Sequence, residues 1–383
     1  MERYEFMVSA PGRITIFGEH QDYLGLPIIP AAINRRIYVK GTKIDRTELQ
    51  IYLWDIGIKI FLPLNKILPY EKPREYIKSV LNVFYKHGYK LDTGYKIEIY
   101  GMIPIASGLS SSSALVTAFM KFLLETTGES FSAMDLAMMA YEAEVLEFKE
   151  PGGFQDHIAS SFGGVVYIEP QLQLPPKVTR LPKIEGYFVI GNSGVQKPTL
   201  QILSRIKNDV NLAVREIRKH ISFNTLMELS ISDIESISKE KEIPKIDQLT
   251  AALEIRDITL RMKELIKSKK YTPEDIGENL NTHQQILRDK LKVSTPELDK
   301  MIEISLKNGA LGAKIVGAGG GGCIMAYTIK DPEAIELALK DSGFDAFTVS
   351  IDEGARVEKH IIDDNDNNEL SSVCLLYTSP SPR

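Results

Sequence analysis

The run PIASGLSSSSA, Pro104 to Ala114, restricts the possible folds of this chain more than any other stretch. A strand-like segment, YKIEIYGMIP (95–104), leads into it and an amphipathic helix leads out. From Ser112 to Thr127 the residues Leu115, Ala118, Phe119, Phe122 and Leu123 fall on one helical face. A strand that turns through Gly108 and the serines 110–113 into a helix leaves first-turn N–H groups without intrahelical partners, at the positive end of the helix dipole. Gly108 lets the backbone approach an anion closely, and the hydroxyls can donate to phosphate oxygens or ligate a magnesium ion. A serine-rich loop that only caps the helix has the same composition, so both readings stand at this point. The Gly-Lys-Ser/Thr of the common phosphate loop is absent.

Strand and helix signals alternate around this junction. FMVSAPGRITIF (6–17) reads as strand, turn at Ala10-Pro11-Gly12, strand; 33–44 and 48–64 are β-rich. Residues 73–86 carry apolar positions at helical spacing, and Ser132 with Asp135 has the spacing of a capping box for a helix reaching about Glu147. A glycine-marked loop (151–164) and a strand (165–170) follow. The proline-rich QLQLPPKVTRLPK (171–183) reads as a boundary. Beyond it come a strand (187–191), helices to about 308, strand–glycine loop–strand (313–329), a helix (332–341) and a strand (347–351). With 383 residues and a prior of about 150 per domain, the expectation is an α+β chain of two domains, 1–180 and 181–360. Residues 361–383 end in CLLYTSPSPR, have no periodicity that ties them to a core, and resemble translated adapter sequence; they are expected to be a disordered or non-native tail.

Three further segments concentrate chemistry. APGRITIFGEHQDYLG packs Glu19, His20, Asp22 and Tyr23 within five residues, with Arg13 just upstream. Carboxylates and an imidazole together can exchange hydrogen bonds with adjacent hydroxyls of a polyol, although a solvated turn would also carry them. EAEVLEFKEPGGFQDHIASSFGG holds Glu144 near a helix end and Asp156 beyond the Gly152-Gly153 turn. Such carboxylates suit a metal ligand and a positioned proton acceptor, and glutamates 142, 144, 147 and 150 equally suit a solvated helix face. GAGGGGC (317–323) places five glycines in six positions between two strands, an entropic cost that close approach to a ligand or a second loop would offset.

Composition excludes several classes. A net charge of −5 with both signs interspersed gives no electrostatic footprint for nucleic acid or an anionic membrane. Cys323 and Cys374 cannot build a disulfide framework. No stretch reaches the ~20 apolar residues of a membrane span, and the start lacks the charge and apolar pattern of a signal peptide, so a cytoplasmic protein is expected.

In this order and spacing, the four segments resemble the GHMP kinases, the superfamily of galactokinase, homoserine kinase, mevalonate kinase and phosphomevalonate kinase. PIASGLSSSSA resembles the family's phosphate loop, with Ala106-Ser107 in place of the usual glycine pair, and KIVGAGGGGC its third motif. GRITIFGEHQDY is similar to the galactokinase signature at Arg13, Glu19, His20, Asp22 and Tyr23. The resemblance, from about residue 8 to 355, implies a ribosomal protein S5 domain 2-like N-terminal domain and a ferredoxin-like C-terminal one. It implies ATP bound by Ser107, Gly108, Leu109, Ser110, Ser111, Ser112, Ser113 and Gly319, and Mg²⁺ held by Ser112 and Glu144. It assigns catalysis to Asp156 and Arg13, and recognition of a small-molecule sugar to Glu19, His20, Asp22, Tyr23 and Gly153. The implied reaction is phosphorylation of a sugar, with galactose first among candidates. GGFQDH departs from the usual galactokinase form toward kinases of heptose phosphate, fucose or uronic acids, and for a uronic acid Lys197 is a candidate partner of the sugar carboxylate. A catalytically silent sugar and ATP sensor with the same residues is the alternative from another class.

Overall fold

β1 (Tyr4–Phe17) is the spine of the first sheet, buried on both faces from Val8 onward, with Phe6, Val8, Ala10, Ile14 and Ile16 among its apolar side chains inside. The structure, a computed structural model, describes residues 4–104, 107–195 and 198–362. β1 pairs antiparallel with β2 (Ile29–Ile44). The expected turn at Ala10-Pro11-Gly12 is instead continuous strand, with a register shift between Pro11 and Arg13. A Cβ on Gly12 would lie 2.6 Å from the Leu109 carbonyl oxygen. Glycine thus keeps β1 against the serine junction, and the Arg13 N–H donates to that same oxygen at 3.1 Å.

A hairpin of β3 (Glu48–Leu53) and β4 (Ile58–Pro63), helix α1 (Tyr76–Lys86) and β5 (Gly94–Gly101) lead to α2 (Ser111–Thr127). Phe122 of α2 stacks on Phe6 of β1 with ring centroids 4.6 Å apart. Both are fully buried, and truncating such a ring costs about 3–5 kcal/mol. Helix α3 (Ala133–Tyr141) has the expected capping box: Ser132 N–H donates to Asp135 Oδ2 at 2.9 Å and Asp135 N–H to Ser132 Oγ at 3.1 Å. It continues through a π-helical turn, Glu142–Leu146. The segment expected to be a glycine-marked loop contains a helix, α4 (Gln155–Phe162), and the expected strand, β6 (Val165–Glu169), follows it.

The proline-rich stretch is not a simple linker either, because β7 (Lys177–Leu181) pairs antiparallel with β6. Beyond it lie β8 (Tyr187–Asn192), α5 (Thr199–Ile217), α6 (Ile231–Ser238), α7 (Ile246–Ser268), α8 (Pro273–Asp289) and α9 (Pro296–Lys307). Then follow β9 (Gly312–Ile315), β10 (Cys323–Thr328), α10 (Pro332–Asp341) and β11 (Asp345–Val349). The second sheet has the order β11-β8-β10-β9, all antiparallel, with helices in both crossovers, which is the ferredoxin-like arrangement. The last strand, β12 (Arg356–Ile362), returns to the first sheet beside β1. The first sheet therefore runs β12-β1-β2-β5-β3-β4, with β6 and β7 joined through β2. Buried Arg36 fastens the returning segment, donating to Asp352 Oδ2 at 2.8 Å, Gly354 O at 2.7 Å and Ser9 Oγ at 2.6 Å. The chain thus has the two-domain α+β fold expected, with its last strand crossing back. Of the tail expected at 361–383, Ile361 and Ile362 belong instead to β12, and residues 363–383 lie outside the described residues.

Candidate active site

A cleft of about 730 Å³ opens where the mouth of α2, the loop after β1, the start of α4 and the glycine loop after β9 converge. Its floor is the serine junction. Ser110 takes the left-handed conformation (φ +62°), which turns the chain into α2 and exposes the first-turn amides of Ser111 to Ser113. Ser107 is held on both sides, its hydroxyl donating to Pro104 O at 2.8 Å and its carbonyl accepting from Cys323 N–H at 2.9 Å.

Arg13 and Asp156 meet at this mouth. Arg13 Nε lies 2.7 Å from Asp156 Oδ1, and its Nη1 donates to Gly108 O at 2.5 Å. Helix α4 is fixed on β1 by Ser160 Oγ to Pro11 O at 2.8 Å and Thr15 Oγ1 to Gln155 Oε1 at 2.9 Å. Burial pushes the Asp156 carboxyl upward, but the charges of Arg13 and His157 outweigh it and leave the group below its usual range.

The loop after β1 supplies the opposite wall. Asp22 Oδ2 accepts from Gln155 N–H at 3.2 Å and packs on Gly153, where a Cβ would stand 1.8 Å from that oxygen. No larger residue fits at 153 while Asp22 stays in place. Burial, then the neighbouring Asp156 charge, raises the Asp22 carboxyl to about 6. His20 Nδ1 and Tyr23 Oη are 2.7 Å apart, and burial, followed by Asp22 and Glu19, raises the Tyr23 phenol well above its usual value. Glu19 lines the cleft but is committed elsewhere: its Oε1 accepts from Lys314 Nζ at 2.9 Å and from Gly317 N–H at 3.0 Å.

Ser112 and Glu144 line the same cleft, the π-helical turn carrying Glu144 inward. Glu144 Oε2 is 2.7 Å from His157 Nε2, which orients the carboxylate. Two hard oxygens fit a magnesium ion that takes its other ligands from nucleotide phosphates and water. Among the described residues no cluster of three or more His, Cys, Asp or Glu could hold a metal ion. Two expected nucleotide contacts do not line the cleft. Leu109 is fully buried in the core, and Gly319 packs against Val293 while Gly317 and Ala318 form the wall. Ala106 and Lys197 lie outside the described residues.

Sequence reading missed Lys314, His157, Gln155 and an outer wall around Ile37, Leu53, Ile56 and Ile99. A lysine inside the otherwise apolar strand Gly312–Ile315 was a usable signal for the first; the others carry none without the fold.

Helix-mouth amides, an arginine and an aspartate around one cleft are the kinds of group that phosphoryl transfer calls for. Residues 75–164 match the GHMP kinases N terminal domain, residues 262–343 the GHMP kinases C terminal domain, and residues 2–43 the galactokinase galactose-binding signature. The chain is 28% identical to a mevalonate kinase of Pyrococcus furiosus, over 93% of this chain and 99% of that protein. It is also 28% identical to a galactokinase of Thermotoga maritima, over 92% and 99%. Lactococcus lactis galactokinase complexed with galactose superimposes with a TM-score of 0.80 at 23% identity, covering 92% of this chain and 95% of that one. Methanococcus jannaschii mevalonate kinase gives 0.68 at 21% identity, covering 91% and 98%. The chain belongs to the GHMP kinases, and it is an ATP-dependent phosphotransferase with an alcohol as acceptor.

Proposed function

We propose that this kinase transfers the γ-phosphoryl group of MgATP to the anomeric hydroxyl of galactose, giving galactose 1-phosphate and ADP. The observation that carries the reading is the Arg13–Asp156 pair, 2.7 Å apart at the mouth of the serine-headed helix. In-line attack by the sugar oxygen forms the new O–P bond as the bond from Pγ to the ADP oxygen breaks, and the hydroxyl proton passes to Asp156. The transition state of such transfers is loose, so the rate comes chiefly from positioning and charge stabilisation. Arg13 and the amides of 108–113 stabilise the phosphoryl oxygens. An Asp156 held ionised by Arg13 orients the hydroxyl and accepts its proton late. Ser112 and Glu144 would hold Mg²⁺, which supplies charge neutralisation of the phosphates when bound.

Asp22, His20, Tyr23 and Gly153 form the proposed acceptor wall. The match to the galactose-binding signature and the higher TM-score to a galactokinase support galactose. A second reading, mevalonate as acceptor, is supported by the equal identity to mevalonate kinases. Residues 1–180 and 181–360 are taken as the two domains, and a cytoplasmic location with a small-molecule partner, without nucleic acid or membrane, completes the proposal. Among the described residues no helix is long and apolar enough to cross a membrane.

Coupled ADP release with ATP, Mg²⁺ and a panel of galactose, fucose, galacturonate, a heptose phosphate and mevalonate is the test. Galactose is expected to give a kcat/KM at least about tenfold above the others. A higher value for another member would replace galactose by that acceptor. Binding of galactose and ATP without ADP release would favour a sensor.

A further inference from the structure

Glu19 and Lys314 form an ion pair between residues 295 positions apart in the chain, and neither is open to solvent: the side chains are 1% and 0% exposed. Lys314 Nζ is 2.9 Å from Glu19 Oε1 and donates to Ile315 O at 2.8 Å, while Gly317 N–H reaches the same Oε1 at 3.0 Å. A carboxylate oxygen with two internal donors has little capacity left for a substrate hydroxyl. Buried pairs add little net stability compared with apolar packing, so their retention points to fixing one arrangement. The arrangement here joins the loop after β1 in the first sheet to the glycine loop of the second.

The connection continues to the phosphate end. The glycine loop closes at Cys323, whose N–H donates to Ser107 O at 2.9 Å, and is anchored on its way by Gly320 N–H to Val293 O at 2.7 Å. His283 of α8 is buried beside the pair, with neither ring nitrogen hydrogen-bonded among the described residues. Burial, then the positive charge of Lys314, keeps its imidazole neutral, so it adds no competing charge there.

We propose that Lys314 is a positioning residue for the acceptor: by holding Glu19 it latches the glycine loop onto the loop bearing His20, Asp22 and Tyr23, and so sets the spacing between acceptor and phosphate loop. The inference rests on the reading of that loop as the acceptor wall. It gives Glu19 a part in the latch through Oε1, the oxygen whose two internal donors leave it little capacity for a substrate hydroxyl.

The test uses the full chain with Lys314→Met, Glu19→Gln and the double variant. KM and kcat are measured for ATP and for whichever acceptor the wild type turns over, galactose first, together with amide hydrogen exchange of 18–25 and 317–322. Each single variant is expected to raise the acceptor KM at least about tenfold while the KM for ATP stays within about twofold. The double variant should be no worse than the worse single, as for two partners of one interaction. Exchange should speed up in both segments together in Lys314→Met. A normal acceptor KM in Lys314→Met beside a raised one in Glu19→Gln would make Glu19 a direct reader and overturn the proposal. So would unchanged exchange in Lys314→Met. If Lys314→Met alone does not fold, Lys314→Met/Glu19→Leu removes both charges together, which buried pairs tolerate, and the same rise in acceptor KM is required of it. If the wild type phosphorylates no sugar yet the two segments loosen together, the galactose reading fails and the latch stands.

Discussion

The two ends of the cleft are held by different means. At the phosphate end the working groups are largely main chain: the first-turn amides of α2, the left-handed Ser110, and carbonyls of Gly108 and Leu109 that accept from Arg13. At the proposed acceptor end they are side chains of the loop after β1 held by distant groups: Asp22 accepts from the Gln155 N–H across 133 positions and Glu19 pairs with Lys314 across 295, a dependence on distant chain that the phosphate end shows only in the Arg13–Asp156 pair, 143 positions apart. A phosphate loop asks only for glycine, hydroxyls and a helix start, so a short run of sequence can encode it. Choice of acceptor depends on where distant side chains meet. Equal identity to mevalonate kinases and galactokinases is the expected result of that division: it fixes the class of reaction and leaves the acceptor open.

The largest effect should come from the transfer end. Asp156→Asn keeps the shape of the side chain and removes the proton acceptor, so kcat should fall at least about 10²-fold with little change in KM for either substrate. Steady-state kinetics decide it, and near-normal turnover would remove Asp156 from the chemistry. The acceptor end should respond differently. In Gly153→Ala the new methyl group would stand 1.8 Å from Asp22 Oδ2, so Asp22 must move. The acceptor KM should rise by about tenfold or more while nucleotide affinity stays within about twofold. Calorimetric titration of ATP into the wild type and the variant reads the nucleotide affinity. A matched loss of both affinities would erase the distinction between the ends.

This division also explains what was legible in the sequence. The serine junction, the capping box at Ser132 and the succession of strands and helices from β8 to β11 follow from local pattern, each within a few residues of its expected place, whereas the ferredoxin-like arrangement of those strands came from the family resemblance. Helix α4 was hidden because Gly152-Gly153 precedes it and its eight residues are too few for a clear period. The false turn at Pro11-Gly12 arose because both residues usually mark turns, whereas here Gly12 makes room for the Leu109 carbonyl. That β12 rejoins β1, and that Lys314 reaches Glu19, are long-range facts with no local signal beyond a lysine in an apolar strand.

A smaller effect, on pH dependence, separates the two carboxylates that share the cleft. Asp156 lies below its usual range, because Arg13 and His157 outweigh its burial, so it stays ionised through mildly acidic conditions. Asp22 lies at about 6, raised by burial and then by Asp156. Below that value Asp22 takes up a proton and ceases to accept from an acceptor hydroxyl, so kcat/KM for the acceptor should fall as pH drops through about 6, approaching tenfold per unit. Asp22→Asn should show a low value with no such limb. A limb of unchanged position in that variant would assign the titration to another group.

The smallest expected effect is a control on the comparison itself. Ser132→Ala removes the hydroxyl that accepts from Asp135 N–H at the start of α3, far in sequence from both loops. Loss of an N-cap of this kind costs about 1 kcal/mol, which in a chain of this size lowers Tm by only a few degrees. Glu144 lies at the other end of that helix, on the π-helical turn, and is held there by His157 and not by the cap. Kinetic constants for both substrates should therefore match the wild type within about twofold while calorimetry registers the lost stability. A kinetic change as large as that of Gly153→Ala would mean that general loosening, and not the separate construction of the two ends, governs how this cleft responds to substitution.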